Sequence, residues 1–120
     1  PFDSTLDCYA SLRQMPAMGR AHTTKLYLDQ AQAIKDATMA WNIMKNLDEN
    51  KKFIHFNGAY HSDYHQSIIW YLNYYLKENK NNNYQLLTIT VQEVDDIELP
   101  PVENSADFII LTPNTLTKTY

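Results

Sequence analysis

Residues 53–72 read FIHFNGAYHSDYHQSIIWYL and hold three of the chain's four histidines, His55, His61 and His65. A neutral imidazole binds a metal or iron through one ring nitrogen, or moves a proton near neutral pH. Which of the three is placed to do so depends on the backbone around it. His55 lies inside a short apolar run, Phe53 to Phe56, and reads as a core histidine with a satisfied partner. His61 follows Asn57-Gly58, so it projects from a loop just as the next helical pattern begins. His65 is four residues on and shares a helix face with His61 if that helix starts early, at Ser62 or Asp63. An H-x-x-x-H pair alone is a weak metal signal, because a closed site for a first-row metal takes three or more protein ligands. His22, before the long helix, reads as a surface or capping residue. Tyr60 and Tyr64 flank His61, and a phenolate ligates ferric haem while flat rings line a porphyrin slot, so this mixture of donors is compatible with haem.

The elements that carry this loop follow from periodicity. Thr24 to Leu47 repeats apolar residues at Leu26, Ala31, Ile34, Ala37 or Thr38, Trp41, Met44 and Leu47, which predicts a helix capped by Thr23 or Thr24 with that face inward. Ser4 to Leu12 predicts a short helix that Pro16 and Gly19 break. Phe53 to Phe56 predicts a buried strand stopped by Asn57-Gly58, with the glycine letting the backbone turn tightly towards a ligand. Ile68, Ile69, Leu72, Tyr75 and Leu76 predict a second amphipathic helix, from about Asp63 to Lys77, with most of Trp70 to Tyr75 in the core. Leu86 to Val91 predicts a strand with Leu87, Ile89 and Val91 on one face and Thr88 and Thr90 on the other. The helix between suits a crossover joining parallel strands. Gln92 to Asn104 is acidic, contains Pro100-Pro101 and predicts a solvated loop. Phe108 to Leu111, apolar throughout and ended by Pro113, predicts a central strand covered on both faces.

The fold class expected is therefore α/β, a layered, mainly parallel sheet flanked by helices. Such sheets bind ligands outside the carboxyl ends of their strands, where Gly58 to Tyr64 is expected to lie. The 120 residues, 44% hydrophobic, suffice for one core and read as a single unit. Ten basic against fourteen acidic residues, a pI near 5.4 and no basic cluster argue against nucleic acid as a partner. No apolar run approaches the roughly 20 residues that span a bilayer. Cys8, the single cysteine, reads as a small buried side chain.

Two motifs in order carry a family resemblance. Asp36-x-x-Met39-Ala40 on the long helix and Gly58-x-x-His61 in the loop are similar to the paired motifs of the ChaN-like haem-binding, iron-regulated lipoproteins of the Tiki/EreA superfamily. The ending, Ala106 to Pro113, resembles that family's last strand. Lys35 stands where an arginine commonly precedes the aspartate, and Gln66-Ser67-Ile68 stands where a glycine commonly follows the histidine. The resemblance implies an EreA/ChaN-like domain of which residues 1–120 are the carboxy-terminal part, the amino-terminal part with its Gly-Glu-x-His motif lying elsewhere in a larger protein. It implies a haem or iron binder for uptake at the bacterial cell envelope, a periplasmic or outer-membrane lipoprotein acting as a homodimer, with enzymatic activity left open. The ligand-site candidates are His61, Gly58, Asp36 and Met39 from the motifs and Tyr60, Tyr64 and His65 from their place in the loop, with haem as the cofactor that the resemblance implies. The alternatives are a metal-dependent hydrolase of the Tiki/EreA type holding a divalent metal at His61, and a structural domain with an inert pocket. On any of the site readings Asp36 and His61 share one pocket, and Lys35 points to solvent.

Overall fold

The computed structural model describes residues 1–14, 27–80, 83–99 and 105–116. Helix α1 spans Asp7–Gln14, α2 spans Leu28–Lys45 and α3 spans Ile68–Glu78. Two single 3-10 turns, Ala59–His61 and Asp63–His65, lead into α3. Strands β1 (Ile89–Val94) and β2 (Phe108–Pro113) pair in parallel, with Ile89 opposite Phe108 and Val94 opposite Pro113. Helices and a parallel sheet are thus both present, as an α/β chain requires. The proposed caps Thr23 and Thr24, His22, and Pro100-Pro101 lie outside the described residues.

The core is where α2 meets α3 and α1. Ala33, Ala40 and Ile43 of α2 pack with Ile68, Ile69, Tyr71 and Leu72 of α3 and with Tyr9 of α1. Full burial of each large aliphatic side chain contributes about 1.5–3 kcal/mol, so α3 supplies much of the stabilisation. Its buried set, Ile68, Ile69, Tyr71, Leu72 and Leu76, keeps the phase that its sequence predicts. Tyr71 lies edge-on to Trp70 with ring centroids 4.9 Å apart, and burial, with Tyr75 next in effect, pushes its phenol up to about 12. Cys8 is half-buried, and burial raises its thiol above the ordinary value. Ala40 is fully buried, so Ala40→Leu is expected to overpack the α2–α3 contact and destabilise the fold by about 1–3 kcal/mol. A urea midpoint unchanged from the parent would contradict that packing.

Helix α2 turns a different face inward from the one its bulky residues suggest. Its buried positions are Asp29, Ala33, Asp36, Ala40 and Ile43, whereas Ile34 is 67% exposed and Ala31, Thr38 and Trp41 also face outward. Two buried aspartates are costly without partners, and both have them. Asp29 is paired with Arg13 of α1 at 3.1 Å, and that guanidinium also donates to the Ser4 carbonyl at 2.6 Å. Asp36 is partnered as described below.

The sheet departs from expectation in four respects. Residues 53–56 form no strand; Phe56 is 90% exposed, and Phe53, Ile54 and His55 are exposed with it, so His55 is not a core histidine. The parallel partner of β1 is therefore β2 rather than 53–56. β1 runs to Val94, which takes Gln92, Glu93 and Val94 out of the acidic loop and into the ladder. The alternation of Thr88 and Thr90 against Leu87, Ile89 and Val91 is present with the threonines buried and the apolar residues exposed. Phe108 and Ile110 share that outer face through the register with Ile89 and Val91, so among the described residues β2 has β1 as its one strand neighbour and an exposed face, rather than two covered faces. Thr88 is tolerated inside because its polar groups are used, with three hydrogen bonds between it and Asp107.

Candidate functional site

The loop from Asn57 to Ser67 is built under backbone strain. Tyr64 and His65 have φ of 57° and Ser67 has φ of 51°, all three in the left-handed region, which residues other than glycine, asparagine, aspartate and histidine seldom occupy. Three such residues within four positions persist only where surrounding contacts over-determine them. α3 consequently begins at Ile68 and not at Asp63, and His61 and His65 do not share a helix face. The Ser67 hydroxyl donates to the Tyr60 carbonyl at 3.2 Å and makes no helix cap. Gly58 has extended backbone, φ −68° and ψ 145°, so its conformation does not require glycine. A Cβ there would meet nothing within 4 Å, so open space lies beside the G-x-x-H loop.

Four sets of contacts fix the loop. Tyr60 donates its hydroxyl to the Cys8 carbonyl of α1 and lies 3.1 Å from the Ser11 hydroxyl. Gln66 accepts from the Cys8 amide at 2.8 Å. The Tyr64 amide donates to the Ser105 carbonyl at 2.6 Å, and Gln92 donates to the Ser105 hydroxyl at 2.8 Å. His65 Nε2 lies 3.1 Å from Asp107 Oδ2 and 3.3 Å from Thr88 Oγ1. Thr88 and Ser105 to Asp107 precede β1 and β2, so the loop sits at the amino ends of these two strands, opposite to the carboxyl-end placement expected.

Asp107 is held at about 2, well below the usual carboxylate range, by the Thr88 amide first, then the Thr88 hydroxyl, then His65. A depressed carboxylate contributes its stabilisation above its unfolded value of roughly 3.9 and loses it as pH falls through the folded value. The Thr88 amide resonance is therefore expected to titrate with a midpoint near 2. A midpoint near the ordinary carboxylate value would show that the Asp107–Thr88 clamp does not form.

The centre of the site is a chain of three side chains from three elements. Tyr9 of α1 donates its hydroxyl to Asp36 Oδ2 at 2.8 Å. Asp36 of α2, 0% exposed, contacts His61 Nδ1 through Oδ1 at 2.5 Å. The contact expected between the two motif residues is thus present, and Lys35 next to Asp36 is exposed. The Gln32 amide nitrogen, one turn before Asp36, lies 2.9 Å from His61 Nδ1 and 3.3 Å from Nε2. Since the carboxylate accepts the hydrogen bond from Nδ1–H, the Gln32 amide N–H has only the Nε2 lone pair to donate to. A carboxylate on one ring nitrogen is the arrangement that orients metal-bound or proton-transferring histidines, and a ligand at Nε2 would take the place of the Gln32 amide N–H. Burial, then the hydrogen bond and negative charge of Asp36, raise the Tyr9 phenol far above its ordinary value, so it stays a donor.

The candidate residues therefore divide. His61 and Asp36 are in contact; His65 belongs to the Asp107–Thr88 clamp; Tyr60 is tied to α1; Met39 is half-buried against the core. Tyr64 is 50% exposed and is tied to Ser105 through its backbone. Tyr9, Gln32, Thr88 and Asp107 were not legible as site residues: no motif includes them, and only Gln32, one turn before Asp36, has a spacing that points there.

The α1, α2 and loop segments that assemble Tyr9, Asp36 and His61 coincide with a family match. A model of the family described as haem-binding uptake, Tiki superfamily, ChaN matches residues 3–72. The chain belongs to that family. The match takes in both motifs and α1, and it ends before β1 and β2. Comparisons with curated proteins and with solved structures gave no match.

Proposed function

We propose that this chain binds haem for uptake, with ferric iron held by a donor from the loop 57–65. The observation that carries the reading is the donor set of one loop: a half-exposed Tyr64 phenol and a His61 imidazole oriented by Asp36, three residues apart in sequence, with open space beside Gly58 of the same loop. A porphyrin supplies four nitrogens to its iron and needs only one or two donors from protein. A protein-held divalent metal needs three or more, and no group of three His, Cys, Asp or Glu side chains suited to a metal occurs among the described residues. The exposed rings of Phe53 and Phe56, just before the loop, suit a flat apolar ligand. Haem bound here would supply a redox-active ferric centre; this chain's residues would bind and orient it. The envelope location, the lipoprotein anchor, the homodimer and a further amino-terminal part of the domain belong to the same proposal and rest on the family resemblance.

A haemin titration followed by absorbance, run beside metal analysis of the purified protein, tests it. A Soret shift that saturates at a defined stoichiometry is the expected result, and a spectrum equal to that of free haemin overturns the reading. The Asp36–His61 pair also favours a second reading, a metal-dependent hydrolase in which His61 Nε2 is a ligand or base and the remaining ligands lie beyond the described residues. Stoichiometric metal in the purified protein, lost in His61→Ala, would select it. Neither haem nor metal would leave a structural domain.

A further inference from the structure

We infer that Tyr9 is a positioning residue for His61, acting through Asp36. This goes beyond the haem reading, because it concerns which nitrogen of His61 carries the proton whatever ligand the loop takes. Asp36 and Tyr9 are both fully buried, so the carboxylate finds its donors among protein groups. Its two oxygens have one each, the Tyr9 hydroxyl on Oδ2 and His61 Nδ1 on Oδ1. With Oδ2 held at 2.8 Å from the phenol, the carboxylate plane is fixed and Oδ1 faces the imidazole. His61 must then carry its proton on Nδ1, and Nε2 keeps its lone pair.

Removing the hydroxyl frees Oδ2. A buried acceptor without a partner costs about 1–3 kcal/mol, and rotating the carboxylate towards another donor, such as the Gln32 amide beside the ring, relieves that cost. The rotation uncouples Nδ1 from Oδ1. A neutral imidazole so released moves its proton to Nε2 in part of the population, and an Nε2–H imidazole neither ligates through that atom nor accepts a proton there. Tyr9 is not in contact with a ligand on this account; it acts on the shape of the acceptor. Its placement on α1 also makes the docking of that helix, through Tyr60 and Gln66 on Cys8, part of how the loop is set.

The test is the imidazole nitrogen spectrum of His61 in protein labelled with 15N-histidine, taken at alkaline pH where the ring is neutral. The parent is expected to show one tautomer, Nδ1–H. Tyr9→Phe keeps the ring and its packing, and is expected to lose that single tautomer, with resolved Nε2–H signal. A folded Tyr9→Phe protein with His61 still wholly Nδ1–H overturns the inference. Should Tyr9→Phe fail to fold, 3-fluorotyrosine at position 9 keeps the hydroxyl and makes it a stronger donor. That variant is expected to shift the His61 Nδ1 resonance through Asp36, and an unshifted resonance overturns the inference equally. Loss of packing alone moves neither signal.

Discussion

Asp36→Ala is expected to weaken ligand binding by about 10–100-fold, the range typical of a residue that orients a ligating histidine, and to destabilise the fold by about 1–3 kcal/mol. The two effects have different origins. Stability falls because the Tyr9 hydroxyl, fully buried and donating to Asp36, is left without an acceptor. Binding falls because His61 Nδ1 loses the carboxylate at 2.5 Å that fixes its ring. The double variant Asp36→Ala with Tyr9→Phe separates them, since removing both partners of a buried hydrogen bond costs far less than removing one. Urea midpoints should recover in the double variant, while haemin affinity stays at the level of Asp36→Ala. If stability does not recover, the Tyr9–Asp36 bond is not what Asp36→Ala breaks. If binding recovers with it, Asp36 acts on binding only through the fold.

What the sequence made legible, and what it hid, turn on the same residues. The Asp36–His61 contact was readable because two polar residues in ordered motifs on successive elements are most simply explained by one pocket. The apolar face of α3 was readable because its hydrophobic residues are also its buried ones. α2 was misread for the opposite reason. Its bulky residues, Ile34 and Trp41, are exposed, and its inner face holds Asp29 and Asp36, whose burial is tolerable only because Arg13, Tyr9 and His61 supply partners. Those partners are 16 to 27 residues away in sequence, beyond the reach of any local period. The alternation along β1 was readable too, but which of its faces is inside was decided by Thr88 and Asp107 rather than by apolarity. The run 53–56 carries strand-forming residues without a strand to pair with, and propensity cannot report the partner. Strain at Tyr64 and Ser67 leaves no mark in composition, because neither is a residue type enriched at positive φ.

The same geometry distinguishes the two tyrosines that sequence alone left equivalent. Tyr64→Phe is expected to change the Soret band and to weaken haemin binding by more than the roughly 10–100-fold lost with an orienting partner, because it removes a proposed ligand outright. His61→Ala is expected to alter the same band, as the second donor beside it. Tyr60→Phe should leave the spectrum unchanged, since that hydroxyl is committed to the Cys8 carbonyl and Ser11 of α1. Its effect should instead be a loss of stability of about 1 kcal/mol, the usual worth of one hydrogen bond. Tyr74→Phe, on the exposed side of α3, is the control and should change neither. The three measurements together decide the ligand. A Soret change in Tyr60→Phe with none in Tyr64→Phe would mean that haem binding breaks the Tyr60–Cys8 bond and that α1 moves when the site fills. No spectral change in any of the three loop variants, in a protein that still binds haemin, would place the iron donor outside the loop altogether.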